Sequence, residues 1–246
     1  MDTTPEPENP VEDFVRRAER LASDAGERVP SWLRSGDPES RIPVLIALLV
    51  AIGLQLAIPK SYTVVPRWPL ILLEILLVLV LVGLNPLRLS RRTTFGQWAS
   101  YLLLAAITLD NSLSALVLDI RILTGDVSNN AAVLLGSGAA IYVTTVIAFG
   151  IWYWELDRGG PFARREGTRP YPDFMFPQMT EPELAPPNWR PEFFDYLYVS
   201  LTNVVAFSPT DTMPMTRRAK MLMAAQAILS FTTLGLVIAR AVNVLG

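Results

Sequence analysis

Two acidic side chains interrupt the hydrophobic stretches of this 246-residue chain, and they are its clearest candidates for chemistry. Asp110, followed directly by Asn111, lies near the middle of one apolar stretch, and Glu74 lies within another. An ionised carboxylate at the centre of a membrane costs about 2.5–3.5 kcal/mol, so such a group is protonated, paired or hydrated. We expect these acids to share a polar cavity or to bind a proton or cation. The alternative is a structural ion pair with an arginine such as Arg121 or Arg240.

A second set of polar residues surrounds a turn near the carboxyl end of the chain. Ser208 and Asp211 have the spacing of a helix-capping box, with a proline directly after the serine. Gln226, Ser230 and Thr233 follow at intervals of four and three, which places them on one face of a helix. Capping and hydrogen bonding between helices are one interpretation, and a ligand or ion path is the other. The ion-path candidates are Thr202, Asn203, Ser208, Thr210, Asp211, Gln226, Ser230 and Thr233.

The composition excludes several classes of function. The chain has no histidine and no cysteine, which excludes Ser-His-Asp and Cys-His catalysis, thiol redox chemistry and His/Cys zinc sites. No cluster of acids provides another catalytic or metal site, so we predict neither an enzyme nor a bound cofactor. The formal net charge of −2 argues against binding to nucleic acid, which requires a concentrated basic surface.

The hydropathy pattern predicts an all-α, polytopic membrane helix bundle. Hydrophobic residues make up 51% of the chain and charged residues only 18%, compared with about 25% charged in soluble domains. Five apolar stretches have the length and flanking residues of membrane spans. They cover residues 42–58, 69–84, 97–118, 131–154 and 219–239.

A shorter apolar stretch covers residues 193–207, and it would reach only about 22 Å as a helix. The Ser-Pro-Thr-Asp-Thr-Met-Pro sequence that follows cannot continue a helix, so we predict a short re-entrant helix that enters the membrane and returns.

Four regions follow from these patterns. Residues 1–41 form an N-terminal tail, which contains an amphipathic helix over 11–25. Residues 42–156 form a four-span region, and residues 157–193 form an ordered proline-rich loop. Residues 194–246 contain the re-entrant helix and the last span.

The distribution of basic residues predicts the orientation. With five spans, 17 of the 21 lysines and arginines fall on the side of the N-terminal tail. The positive-inside rule therefore places the N-terminus and the proline-rich loop in the cytoplasm and the C-terminus outside.

The carboxyl-terminal segment resembles the pore module of the potassium-channel superfamily. Residues 198–202 correspond to the end of a pore helix, Asp211 and Pro214 to the Asp-x-x-Pro after a filter, and Gly235 to an inner-helix hinge. The resemblance covers about a fifth of the chain and implies a re-entrant pore helix followed by a pore-lining helix. Residues 205–209 contain no glycine, so potassium selectivity is not implied. The chain also resembles bacterial multi-pass membrane proteins of unknown function, which implies no activity.

These observations favour a protein of the plasma (inner) membrane that conducts a small ion through an oligomeric, channel-like pore. Gly136 and Ala140 form a small-xxx-small face on which copies of the chain could pack. One alternative is a proton- or cation-coupled transporter that uses Asp110 and Glu74. Another is a non-transporting membrane scaffold. No partner is predicted beyond the lipid bilayer, a small ion and further copies of the chain.

Overall fold

A computed structural model describes residues 31–63, 67–85, 89, 93–127, 130–167, 169, 171–206 and 211–245. The predicted amphipathic helix over 11–25 lies outside these residues. Eight α-helices make up most of the described chain, which confirms the all-α class. They are α1 (Ile42–Ala57), α2 (Trp68–Leu84), α3 (Thr94–Thr124), α4 (Ala131–Leu156), α5 (Pro161–Glu166), α6 (Pro177–Thr180), α7 (Phe193–Ala206) and α8 (Arg217–Leu245).

Three of these helices are long and apolar enough to cross a membrane, namely α3, α4 and α8. The two other predicted spans form shorter apolar helices, because α1 has 16 residues and α2 has 17. At 1.5 Å per residue they reach about 24–26 Å, somewhat less than the ~30 Å hydrocarbon core of a bilayer. The described residues therefore provide three helices of full spanning length, where the sequence predicted five spans.

Local sequence signals explain where the long helices begin and end. The Thr93 side chain accepts a hydrogen bond from the Gly96 amide at 3.1 Å and caps the start of α3. Gly125 ends that helix in the left-handed conformation, with φ of 77°. The Asn130 side chain accepts bonds from the first amides of α4, and prolines occupy the first turns of α1 and α2.

The central helix of the bundle is α4, which packs against α1, α3, α7 and α8. Two of its glycines permit close approach of a neighbouring helix. A Cβ at Gly138 would lie 2.8 Å from the Val237 side chain of α8, and one at Gly150 would lie 3.1 Å from the Leu197 Cα of α7. Gly136, which the sequence suggested for close helix contact, has open space beside it within the protomer.

The proline-rich segment after α4 is ordered by its aromatic side chains. Phe174 and Phe176 are buried, as expected, whereas Tyr171 is 85% exposed. Strand β1 (Phe174–Met175) pairs antiparallel with β2 (Met213–Pro214), which directly precedes α8. Helix α1 begins and helix α4 ends at the same end of the bundle. We call it the arginine-rich end, after Arg41, Arg158 and Arg164.

Candidate functional site

Helix α7 starts at the arginine-rich end, and the chain after it returns to that same end. The Phe193 ring contacts Trp154 near the end of α4, with ring centroids 6.3 Å apart. After α7, Met213 pairs with Met175 in the small sheet. The Thr216 hydroxyl then donates to Asp173 at 2.6 Å, just before α8 begins. Helix α7 and strand β2 thus both have an end at the arginine-rich end, and we call residues 193–206 together with 211–214 the α7 hairpin.

Helix α7 reaches about half-way along the bundle. Helix α7 has 14 residues and a length of about 20 Å, whereas α4 has 26 residues and a length of about 39 Å. The Ser200 hydroxyl donates to the carbonyl of Val146 at 2.7 Å, ten residues before the end of α4. The carboxyl end of α7 thus lies well inside the bundle rather than at its opposite end.

Four buried side chains join the hairpin to α4 and α8, and we call them the Gln226 cluster. Gln226 donates to the Ser200 hydroxyl at 2.6 Å and to the Ser200 carbonyl at 3.2 Å. Its side-chain oxygen accepts from Asn203 at 2.9 Å and from the Tyr153 hydroxyl. Asn203 also donates to the carbonyl of Met223 at 3.0 Å. Every polar atom of the Gln226 side chain is therefore used in contacts between helices.

The rest of the polar stripe on α8 also faces the interior. Thr233 donates to Asp119 of α3 at 3.1 Å, and both residues are buried. The other carboxylate oxygen of Asp119 and the Ser230 hydroxyl have no hydrogen-bond partner among the described residues. Sequence reasoning missed Asp119, although an acid within an apolar helix is the same signal that identified Asp110.

Two of the remaining ion-path candidates, Thr202 and Asp211, lie within the described residues. Thr202 donates to the carbonyl of Val199 within its own helix at 3.1 Å, and Asp211 is exposed. Ser208 and Thr210 lie outside the described residues.

The intramembrane acids do lie together, in what we call the Glu74 cluster of Gln55, Arg67, Glu74 and Asp110. The Arg67 guanidinium donates to both carboxylate oxygens of Asp110, with Nε at 3.1 Å from each. It also donates to the carbonyl of Gln55 at the end of α1. An arginine does pair with Asp110, but it is neither of the two suggested by the sequence. Of those, Arg121 pairs with Asp126 at 2.9 Å.

Glu74 differs sharply from Asp110. Its side chain is fully buried, and neither carboxylate oxygen has a hydrogen-bond partner in the described chain. The side-chain oxygen of Gln55, which is also fully buried, is likewise without a donor. Arg67, Asp110 and Gln55 are its interacting neighbours.

Asn111 turns away from this cluster. It donates to Thr145 of α4 at 2.8 Å and to the carbonyl of Ile141 at 3.3 Å. It therefore joins α3 to α4 and contributes nothing to the environment of Glu74.

The densest polar site lies at the arginine-rich end and was missed by sequence reasoning. We call it the Asp157 network, and its members are Glu39, Asp157, Arg158, Arg164, Asp173 and Tyr196. The Asp157 carboxylate accepts from the amides of Asp173 and Phe174 at 2.8 and 3.3 Å, from the Tyr196 hydroxyl at 2.7 Å and from Arg158 at 3.2 Å.

Two arginines complete this network. Arg158 has a positive φ of 51°, and its amide donates to Asp173 at 3.0 Å, which holds this uncommon conformation. Arg164 donates to both oxygens of Glu39, at 3.1 and 3.2 Å, and to the carbonyls of Trp154 and Asp157. From the sequence we predicted only an ordered proline-rich loop here, because the partners are far apart along the chain.

Two further arginines at this end are held by main-chain acceptors. Arg41 donates to the carbonyls of Leu81 and Asn85 and so caps the carboxyl end of α2. Burial lowers the pKa of Arg41, and the charge of Glu155 opposes that shift. Burial also lowers the pKa of Arg190, as does the nearby charge of Arg158.

No family model, no curated protein and no solved structure matches this chain. Its function must therefore be inferred from the placement of its own residues.

Proposed function

We propose that this is a multi-pass protein of the plasma (inner) membrane whose copies assemble around α7 and α8 into a channel-like pore for a small cation. In this proposal α1 and α2 also span, in a locally thinned bilayer, which gives five spans. The α7 hairpin is re-entrant, and the arginine-rich end faces the cytoplasm because most of the lysines and arginines in the described chain lie there.

The observation that carries the proposal is the depth of α7. A helix that stops half-way along the bundle leaves its last carbonyl groups pointing into the membrane instead of into water. The helix dipole gives that end a partial negative charge, which favours a cation over an anion. Non-helical backbone at such a depth is tolerated where it is buried in protein or faces water.

The interior of one protomer does not offer a path beside α7, because the Gln226 cluster fills it with hydrogen bonds between helices. We therefore place the path between protomers. Helix α8 supports this choice, since only 28% of its apolar window is buried within the protomer, compared with 50% and 61% for α3 and α4.

The outward face of α8 has the composition of a helix-packing surface. Among its small exposed residues, four recur at intervals of seven, three and four, which aligns them along one stripe of a helix. The stripe is formed by Ala225, Thr232, Gly235 and Ala239. A Cβ at Gly235 would meet nothing within 4 Å, so a second copy of the chain has room to approach.

Flux through purified, reconstituted full-length protein tests this function. We expect cation flux into liposomes, and we expect Gly235→Trp to abolish it by filling the space between protomers. Gly53→Trp is the matched control, because Gly53 also lies on an exposed helix face with open space beside it. Absence of flux for every cation tested, or equal inhibition by both variants, would reject the proposal.

A further inference from the structure

The Glu74 cluster has more acceptor oxygens than donors. Both carboxylate oxygens of Glu74 and the side-chain oxygen of Gln55 are fully buried and accept no hydrogen bond from the described residues. The Gln55 amide group is already used, because it donates to the carbonyl of Ile107 at 3.3 Å. Buried acceptors without donors are costly, so this arrangement calls for a bound species that donates hydrogen bonds or carries positive charge.

The charges around Glu74 indicate which species that is. Arg67 and Asp110 are the charged groups that act on it. They form one neutral pair, in which the guanidinium donates to Asp110 and to the carbonyl of Gln55. Helix α1 contributes no charged side chain. On α3, Asp119 and Arg121 lie nine and eleven residues beyond Asp110, about 13–16 Å away along the helix. An ionised Glu74 would therefore give the cluster a net negative charge within the apolar bundle.

We propose that Glu74 is a proton-binding site, and that its protonated carboxyl group donates a hydrogen bond to the side-chain oxygen of Gln55. One proton then neutralises the cluster and supplies a donor to the Gln55 oxygen. It leaves one carboxyl oxygen of Glu74 as a neutral acceptor, which costs far less than a buried charge.

A metal cation fits the site less well than a proton. Hard cations take six or more oxygen ligands, whereas the described residues of the cluster offer three unpartnered oxygens. No group of three or more His, Cys, Asp or Glu residues able to hold a metal occurs in the described chain. The guanidinium of Arg67 lies beside the site and would repel a metal ion. The site lies inside one protomer, so a test of this inference does not depend on the pore proposed between protomers.

Infrared spectroscopy of the full-length protein in lipid bilayers tests this inference. At neutral pH we expect a carbonyl band of a protonated carboxylic acid that shifts on exchange into D2O and disappears in Glu74→Gln. Glu183→Gln is the control, because Glu183 is exposed and its removal should leave the band unchanged. Persistence of the whole band in Glu74→Gln would overturn the proposal.

Two further measurements separate the remaining outcomes. In Gln55→Met the band should persist and move to higher frequency, because the hydrogen bond from the carboxyl group is lost. An unchanged frequency would overturn the assignment of Gln55 as the hydrogen-bond partner of the carboxyl group. This measurement tests the proposal even if Glu74→Gln fails to fold. Loss of the band on addition of sodium or potassium chloride at constant pH would show that a metal cation displaces the proton and would also overturn the proposal.

Discussion

The Asp157 network and the Glu74 cluster each bury a carboxylate completely, but they satisfy it in opposite ways. Asp157 accepts four hydrogen bonds, from two amides, a tyrosine and an arginine. Glu74 accepts none in the described chain, although an arginine lies nearby. That arginine is already used by Asp110. Equal burial therefore hides two different arrangements, because the Asp157 carboxylate has four donors and the Glu74 carboxylate has none among the described residues.

We therefore assign a structural role to the Asp157 network and a chemical role to Glu74. The Asp157 network fixes the start of the α7 hairpin, the small sheet and the start of α8 at one end of the bundle. Glu74 itself fixes little, since neither of its carboxylate oxygens accepts a hydrogen bond in the described chain. We therefore expect substitutions in the Asp157 network to destabilise the fold and the substitution of Glu74 to leave its stability nearly unchanged.

The largest effect should come from Asp157→Ala. The substitution leaves Arg158 buried without its carboxylate, and breaking a buried pair in this way costs about 3–5 kcal/mol. The free energy of unfolding in detergent micelles, measured by denaturant titration, checks this value. Asp126→Ala is the control, because Asp126 is 77% exposed and its pair with Arg121 contributes about 0–1 kcal/mol. Equal effects of the two substitutions would contradict the structural role of the network.

Removing the partner of Asp110 should have the next largest effect. In Arg67→Met the Asp110 carboxylate remains buried and unpaired, at a cost of about 2.5–3.5 kcal/mol in a membrane-embedded helix. The double variant Arg67→Met, Asp110→Leu should recover most of that loss, because no charge is then left alone. Additive losses in the double-mutant cycle would show that the two residues do not form the pair described here.

Gln226→Leu should have a smaller effect, because it removes several neutral hydrogen bonds between α7 and α8. Such bonds average about 0.6 kcal/mol each within membranes, so a total loss of about 1–2 kcal/mol is expected. The same denaturant titration measures it, with Thr124→Val as the control, because the exposed Thr124 hydroxyl donates to the carbonyl of Ile120 in its own helix. If both variants were as stable as the parent protein, the Gln226 cluster would not hold the hairpin in place.

The smallest effect is expected for Glu74→Gln, with a change in stability at neutral pH of no more than about 0.5 kcal/mol. The amide has nearly the same shape as a protonated carboxyl group and needs no counter-charge. Asp157→Asn makes the matching change at the bonded acid, and it should cost at least about 1.5 kcal/mol, because the bond from a charged arginine is weakened. A larger loss in Glu74→Gln than in Asp157→Asn would reverse the comparison between the clusters.

Periodicity and flanking residues predicted the helices well. The stretch 42–58 became α1 over Ile42–Ala57, and the α8 stripe of Gln226, Ser230 and Thr233 faces the interior. Both results follow from short-range rules, because helix bounds and helix faces depend on residues within a few turns. The ends of α3 and α8 extend further than predicted, since charged residues such as Arg217 are tolerated in a helix that continues beyond the apolar stretch.

Pairings between distant residues were not predictable in the same way. Tyr196 meets Asp157 across 39 residues, and Arg164 meets Glu39 across 125. Nothing local marks such partners, so the sequence indicated only that the loop would be ordered. Arg67 was interpreted as a flanking loop charge, and its pairing with Asp110 depends on how α1, α2 and α3 pack together.

The most direct test of the account is the sidedness of the α7 hairpin in the membrane. The chain contains no cysteine, so single cysteines at the exposed positions Glu192, Arg217 and Asn243 can be labelled without background. With a membrane-impermeant thiol reagent on oriented vesicles, we predict that the first two positions react from one face and the third from the other. Labelling of positions 192 and 217 from opposite faces would mean that α7 crosses the membrane, and it would contradict both the re-entrant hairpin and the pore proposed beside it.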